Sequence, residues 1–133
     1  MTSFTSKTEL NSSIEDVYAF LEDCNNHEHL QPENVYNWVS TRDEASFTIK
    51  NMAKLSLKVK ERKPTTEIRV VPASKAPFDV TLNWLLQNLE NGTEVTLELN
   101  ADLNMMMKMV ASGPLQNLID FQIKRLTEIF APK

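Results

Sequence analysis

Residues 94–103, EVTLELNADL, decide the expected fold, because apolar and polar residues alternate along them without a break. Successive side chains of an extended strand point to opposite faces, so this period of two creates one apolar and one solvated face. Asn91-Gly92 precedes the stretch, and Asn-Gly is the strongest short-range signal for a hairpin turn. The pattern predicts a long antiparallel strand that follows a tight turn and buries one face.

The same alternation extends upstream through residues 35–89 and recurs at residues 4–10. The apolar positions expected to face inward between residues 35 and 89 are Trp38, Ala45, Phe47, Ile49, Leu55, Leu57, Val59, Ile68, Val70, Phe78, Val80, Leu82, Trp84 and Leu86. Several short alternating runs separated by polar turns are typical of an antiparallel sheet. Together with residues 94–103 they predict seven strands.

Two short helices are expected between the first and second strands. Ser12-Ser13-Ile14-Glu15 has the pattern of a capping box, in which a hydroxyl accepts a hydrogen bond from the first turn. Apolar residues then recur at helical spacing as far as Leu21. Residues 27–31 predict a second short helix, which Pro32 ends because proline lacks a backbone N–H.

The C-terminal region predicts one long amphipathic helix that Asn104 caps. Its apolar face contains Leu115, Leu118, Ile119, Ile123, Leu126, Ile129 and Phe130. Gly113-Pro114 lies inside the segment and is expected to kink or break it. One helix cannot cover a flat seven-stranded sheet, so the sheet must curve around it, and such an arrangement tends to leave a cavity. The expected fold is therefore α+β, of the helix-grip type.

Three segments resemble the START/SRPBCC superfamily, the birch-pollen-allergen-like helix-grip proteins. They are SSIEDVYAFLED (residues 12–23), HLQPENVYNW (29–38) and ADLNMMMKMVASGPLQNLIDFQIKRL (101–126). The chain looks most similar to the small polyketide cyclase-like and carbon-monoxide-dehydrogenase-accessory-like members. The resemblance covers residues 1–133 as one domain and implies a hydrophobic ligand cavity between the sheet and the last helix. The glycine-rich loop of the pollen-allergen branch has no counterpart, since Gly92 and Gly113 stand alone, so no binding residues are carried over from it.

Charge and composition narrow the classes of partner. The chain has 14 Lys and Arg against 18 Asp and Glu, a net charge of −4, which disfavours binding to nucleic acid or to an anionic membrane. Cys24 is the single cysteine, so no internal disulfide forms. No secretory signal pattern and no apolar run of ~20 residues is present. We therefore expect a cytoplasmic protein without membrane insertion.

Nine residues are candidates for contact with a ligand in the expected cavity. They are Trp38, Phe47, Leu57, Phe78, Trp84, Leu97, Met106, Met109 and Gln122. An ordinary packed core would explain the aromatic and leucine positions equally well. The methionines either adapt to ligands of different shape or fill gaps. Gln122 lies in the middle of the apolar helix face, where its amide requires a partner: the sheet, a trapped water or a ligand.

Metal binding and catalysis are less favoured by the residues present. His27 and His29 are the only histidines, and on an α-helix their rings would point about 200° apart. We expect them on a solvated surface, with no metal and no cofactor bound. Cys24 extends the apolar stripe of the first helix and is expected to be buried and inert. Glu61 is the one charged residue at an inward strand position.

These observations favour a protein that binds a small apolar or amphipathic molecule, lipid- or polyketide-like, over an enzyme. A cyclase or hydrolase acting on such a ligand is one alternative. Another is a protein–protein interaction module of the chaperone-ATPase-activator type. Phe121 points away from the predicted helix face: it contacts the short helices, covers a strand edge, or marks such an interaction surface or that of a homodimer.

Overall fold

The computed structural model describes residues 2–74 and 79–131. Its seven strands are β1 (Thr2–Leu10), β2 (Val35–Ser40), β3 (Glu44–Ile49), β4 (Ala53–Lys63), β5 (Glu67–Pro72), β6 (Val80–Leu89) and β7 (Gly92–Ala101). Its helices are α1 (Ile14–Leu21), a 3₁₀ helix (Cys24–Leu30) and α2 (Met105–Ile129). The predicted order of elements is confirmed.

All seven strands form one antiparallel sheet in the order β1-β7-β6-β5-β4-β3-β2. The sheet curls into a half-barrel, and α2 is the long C-terminal helix of this α+β fold. The first strand lies beside the last, with Thr2 opposite Ala101 and Leu10 opposite Thr93. The helix-grip prediction is therefore confirmed, because the curved sheet wraps the apolar face that a single helix presents.

Strand β7 shows why the alternating sequence predicts a half-buried strand. Every second residue from Thr93 to Ala101 is buried, and each residue between them is partly exposed. Gly92 begins the strand where β1 ends, and a Cβ atom there would collide with the carbonyl oxygen of Leu10. Only glycine allows the two backbones to approach this closely.

Polar caps start the helices. The Ser13 hydroxyl caps α1 by accepting a hydrogen bond from the backbone N–H of Asp16 at 3.2 Å, one residue later than a capping box from Ser12 to Glu15 would place it. Asn104 caps α2 in the same way, accepting from the N–H of Met107 at 2.8 Å. The second short helix is a 3₁₀ helix that begins before the predicted residue 27. Asp23 caps it by accepting from the N–H of Asn25 at 2.9 Å.

Helix α2 packs unevenly along its length. Its buried residues are Ala111, Leu115, Leu118, Ile119, Gln122, Ile123 and Leu126. The expected apolar face is buried up to Leu126 and Phe130 packs against the core, whereas Ile129 is exposed. Helix α2 is continuous through Gly113-Pro114, so the expected break does not occur, although Pro114 has no N–H to donate to the preceding turn. None of the helices in the described ranges has the length and apolarity that crossing a membrane requires.

Candidate functional site

A cavity of about 30 Å³ lies inside the grip, between the sheet and the helices. Its sheet wall consists of Trp38, Ala45, Phe47, Leu57, Val70, Leu82 and Trp84. Its other wall consists of Cys24, His27, Gln31 and Gln122. A water needs roughly 10–15 Å³ of such space, so the cavity is of water size. The sheet contributes an apolar surface, and the helices contribute nearly all the polar groups.

The structure brings together a subset of the nine predicted contact residues. Trp38, Phe47, Leu57, Trp84 and Gln122 line the cavity. Leu97 is buried in the core away from it, and Phe78 lies outside the described residues. The structure places Met106 and Met109 on the outer surface of α2, 77% and 82% exposed. The inward face of the helix instead includes Met107, which precedes Ala111 and Leu115 at intervals of four residues.

Gln122 belongs to a chain of hydrogen bonds along the helical wall. Its side chain is only 6% exposed, and its Nε2 donates to Gln31 Oε1 at 2.9 Å. Gln31 Nε2 in turn donates to the backbone carbonyl of His27 at 2.8 Å. The amide of Gln122 thus has an internal partner, one of the alternatives that burial of an amide requires. The bond ties α2 to the end of the 3₁₀ helix.

His27 lines the cavity, so the expectation of a solvated surface is wrong for this histidine and holds for the exposed His29. A 3₁₀ helix has three residues per turn, so residues at i and i+3 eclipse each other. Cys24, His27 and Leu30 therefore share one inward face. The interval of three between apolar Cys24 and Leu30 is the signal in the sequence that would have placed His27 with them.

The environment of His27 determines its tautomer and charge. Its Nε2 lies 2.7 Å from the carbonyl oxygen of Leu21, and a carbonyl only accepts, so Nε2 carries the proton. Nδ1 is then the acceptor of the neutral ring. The ring meets Trp84 edge to face, with centroids 5.6 Å apart. Burial lowers the pKa of His27 below its usual value of 6.5, so the ring is neutral at neutral pH.

A β-bulge in β2 turns Trp38 toward the cavity. Tyr36 pairs with Thr48 and Val39 with Ser46, so Asn37 and Trp38 together oppose the single residue Phe47. Asn37 adopts the left-handed region with φ 56°, which asparagine tolerates better than most residues. The extra residue reverses the alternation and brings the Trp38 ring onto Phe47, stacked at 5.2 Å. Trp38 thus faces inward as predicted, although a single-sequence pattern does not show the shift in register that places it there.

The indole nitrogen of Trp38 is the unusual polar atom of this cavity. Nε1 is buried and has no hydrogen-bond acceptor among residues 2–74 and 79–131. Buried donors are nearly always paired, and an unpaired one costs about 1–3 kcal/mol. Trp38 therefore contributes to the cavity wall a ring whose buried N–H has its hydrogen-bonding capacity unused.

Cys24 and His27 put a thiol and an imidazole in the cavity wall, but the thiol is not activated as a nucleophile. Burial raises the pKa of the Cys24 thiol to about 11, so it is protonated and a poor nucleophile at neutral pH. Glu61 is exposed and does not reach the lining. As far as the described residues extend, no carboxylate, lysine or arginine belongs to the cavity wall. The described ranges also contain no group of three or more His, Cys, Asp and Glu side chains arranged for a metal.

An open groove runs along the first half of α2, and we call it the α2 groove. Its larger part has a volume of about 450 Å³ and is lined by Asn34, Ile49, Lys50, Asn51, Met52, Met107, Val110, Ala111 and Pro114. A second part of about 320 Å³ shares Asn34 and Pro114 and extends to Phe121, which is 38% exposed. The groove and the cavity have no lining residue in common.

No family model and no curated protein matches this chain. Solved structures match it in fold. KanY has a TM-score of 0.81 at 12% sequence identity, covering 98% of each chain. TTHA0849 from Thermus thermophilus has a TM-score of 0.78 at 15% identity, covering 96% of this chain and 95% of its own. The Aha1 dimer from Colwellia psychrerythraea has a TM-score of 0.68 at 14% identity, covering 98% and 96%. At these identities the similarity establishes a shared fold.

Proposed function

We propose that this chain is a single START/SRPBCC-like domain that binds a small apolar or amphipathic ligand, lipid- or polyketide-like, between the curved sheet and α2. The observation that carries the proposal is the cavity itself, which has an apolar sheet wall and polar groups on its helical wall. Small-molecule sites commonly combine a mostly apolar lining with a few directed polar groups. An apolar guest gains roughly 25 cal/mol per Å² of surface removed from water.

A ligand larger than a water requires the grip to open, and the packing of α2 indicates where. Between Met105 and Pro114 only Ala111 is buried, whereas six residues are buried between Leu115 and Leu126. Segments with few buried apolar contacts open at the lowest free energy. The first half of α2 is therefore the part that moves when a ligand enters.

The α2 groove is the entry route in this proposal. Ile49 lines the groove and Phe47 lines the cavity, and both lie on the inner face of β3 two residues apart. A guest that displaces the first half of α2 moves along this face to reach the Trp38 and Trp84 rings. The methionines of the groove adapt to its shape because their side chains are unbranched and flexible.

Intrinsic fluorescence tests the proposal directly, because both tryptophans of the chain line the cavity. Titration with ethylbenzene should change the tryptophan emission saturably and raise the melting temperature. Ala45→Val fills the cavity and should abolish both effects. Ala19→Val, on the exposed side of α1, is the matched control and should retain them. An emission that does not saturate, with an unchanged melting temperature, would contradict the proposal.

A second candidate function, protein–protein interaction, is favoured by the exposed apolar side chains of α2. Met105, Met106, Met109 and Val110 are all more than two-thirds exposed, and large exposed apolar patches mark interaction sites. One structural neighbour is described as a dimer, which makes a second copy of this chain the first partner to test. Analytical ultracentrifugation should show a dimer that Met109→Glu dissociates, and a monomer at all concentrations would reject self-association.

A further inference from the structure

We infer that the cavity selects a neutral ligand whose polar group is a hydrogen-bond-accepting oxygen bound by Trp38 Nε1, and that it rejects carboxylates. The inference rests on the proposed binding function and specifies its ligand class. A ketone or another neutral carbonyl compound with an apolar body has this chemistry.

Besides Trp38, three side chains of the cavity wall carry nitrogen donors: Gln122, Gln31 and His27. Gln122 Nε2 and Gln31 Nε2 each donate one of their two N–H groups within the protein, and His27 Nε2 donates its single N–H. Trp38 Nε1 carries a single N–H, and that N–H is buried without an acceptor among the described residues. A ligand oxygen placed against it removes the cost of an unpaired donor and gains a hydrogen bond.

The geometry of Trp38 supports a recognition role. The bulge at Asn37 directs the side chain inward, and the stacked Phe47 ring holds the indole plane. A rigid aromatic ring with one polar edge contributes apolar contact and one directed hydrogen bond. The N–H therefore orients the polar end of a guest whose apolar body lies along the sheet.

The described part of the cavity wall offers no cation to pair with a ligand carboxylate. Arg62, a cationic side chain from β4, is committed to the end of α1: its guanidinium donates to the carbonyl oxygen of Glu22 and pairs with Asp43 at 2.8 Å. His27 is neutral because burial lowers its pKa. A carboxylate in the cavity would therefore be buried without a cation, and such burial is strongly unfavourable.

Three probes of matched shape test the inference: acetophenone, ethylbenzene and benzoate. Acetophenone and ethylbenzene share one carbon skeleton and differ by a carbonyl oxygen. We expect acetophenone to bind about tenfold more tightly than ethylbenzene, the factor that one net hydrogen bond supplies. Benzoate should bind at least about a hundredfold more weakly than acetophenone, because its charge has no partner.

Nuclear magnetic resonance of ¹⁵N-labelled protein reports on the donor itself. The two indole N–H signals are assigned by the loss of one in Trp38→Phe. The Trp38 signal should move downfield with acetophenone and not with ethylbenzene. Trp38→Phe should remove the tenfold preference for acetophenone, whereas Trp84→Phe, on the same wall, should retain it. Where Trp38→Phe does not fold, the loss of the other signal in Trp84→Phe gives the assignment, and the wild-type shift supplies the test.

The outcomes separate the inference from the proposed function. If ethylbenzene binds while acetophenone has no advantage and the Trp38 signal does not move, the binding function stands and the ligand class is wrong. Benzoate binding as tightly as acetophenone likewise overturns the ligand class. If none of the three probes binds, the proposed function itself fails.

Discussion

Gln122 Nε2 donates a 2.9 Å hydrogen bond to Gln31 Oε1, joining two residues 91 positions apart in the chain. Gln122 belongs to α2, and Gln31 ends the 3₁₀ helix. The pair therefore links the gripped helix to the segment that contains Cys24 and His27, at the edge of the cavity. Hydrogen bonds between buried side chains specify one arrangement of the elements that they join.

Gln122→Leu removes this link while retaining an apolar side chain of similar size. We expect the free energy of unfolding to fall by about 1 kcal/mol, because a net hydrogen bond is lost and Gln31 keeps an unpaired oxygen. Urea denaturation measures the change. Asn117→Leu, exposed on the same helix, should change stability by less than about 0.5 kcal/mol. Equal effects of both substitutions would show that the Gln122–Gln31 bond contributes nothing.

His27 makes stability depend on pH. Burial lowers its pKa in the folded protein below 6.5, so below that pH the unfolded chain binds more protons than the folded one. The stability that neutral His27 contributes is fully present above pH 6.5. It is lost as the pH falls through the lower folded-state pKa of His27. Urea denaturation between about pH 7.5 and pH 5 measures this loss.

His27→Gln should flatten this pH dependence, because glutamine does not titrate. His29→Gln, two residues away on the exposed side, should retain it. A His27→Gln variant with the same slope as the wild type would contradict the assignment.

Substitutions of Asn37, in the β2 bulge, test whether the bulge orients Trp38. Asn37→Val places a β-branched residue at φ 56°, which should reduce stability by about 1–3 kcal/mol, and it should shift the tryptophan emission. Asn37→Gly accepts the same backbone and should retain the emission. Asn51→Val, at φ 62° in the turn before β4, is the matched control: it should lose stability without altering the emission. An unchanged emission in Asn37→Val would show that the bulge does not orient Trp38.

The two glycines of the chain should respond to alanine in opposite directions. A Cβ at Gly113 has no neighbour within 4 Å. Gly113→Ala should therefore stabilise the protein by about 0.5–1 kcal/mol, because alanine lowers the conformational entropy of the unfolded chain. Gly92→Ala should destabilise the protein, because the added Cβ collides with the Leu10 carbonyl. Thermal denaturation compares the two, and a lowered melting temperature for Gly113→Ala would contradict the open environment of that position.

The sequence predicts the strands and helices because side-chain periodicity and helix caps depend on residues close together in the chain. The alternation in residues 94–103 reports directly on which strand residues are buried, since the period of a strand is two wherever the strand lies. Ser13 and Asn104 cap helices through bonds to residues three positions away. The apolar stripe from Leu115 to Leu126 is buried as the helical period predicts. The need to bury one stripe against seven strands then implied a curved sheet.

The sequence by itself thus determined the elements, their order and the curved α+β architecture of this protein. Tertiary structure decided the site: which side chains meet around the cavity, the register shift between β2 and β3 that stacks Trp38 on Phe47, and the pairing of Gln122 with Gln31. The physical reason is range. Periodicity and caps depend on neighbours within a few residues, whereas a cavity of about 30 Å³ and an unpaired N–H depend on how distant elements pack together.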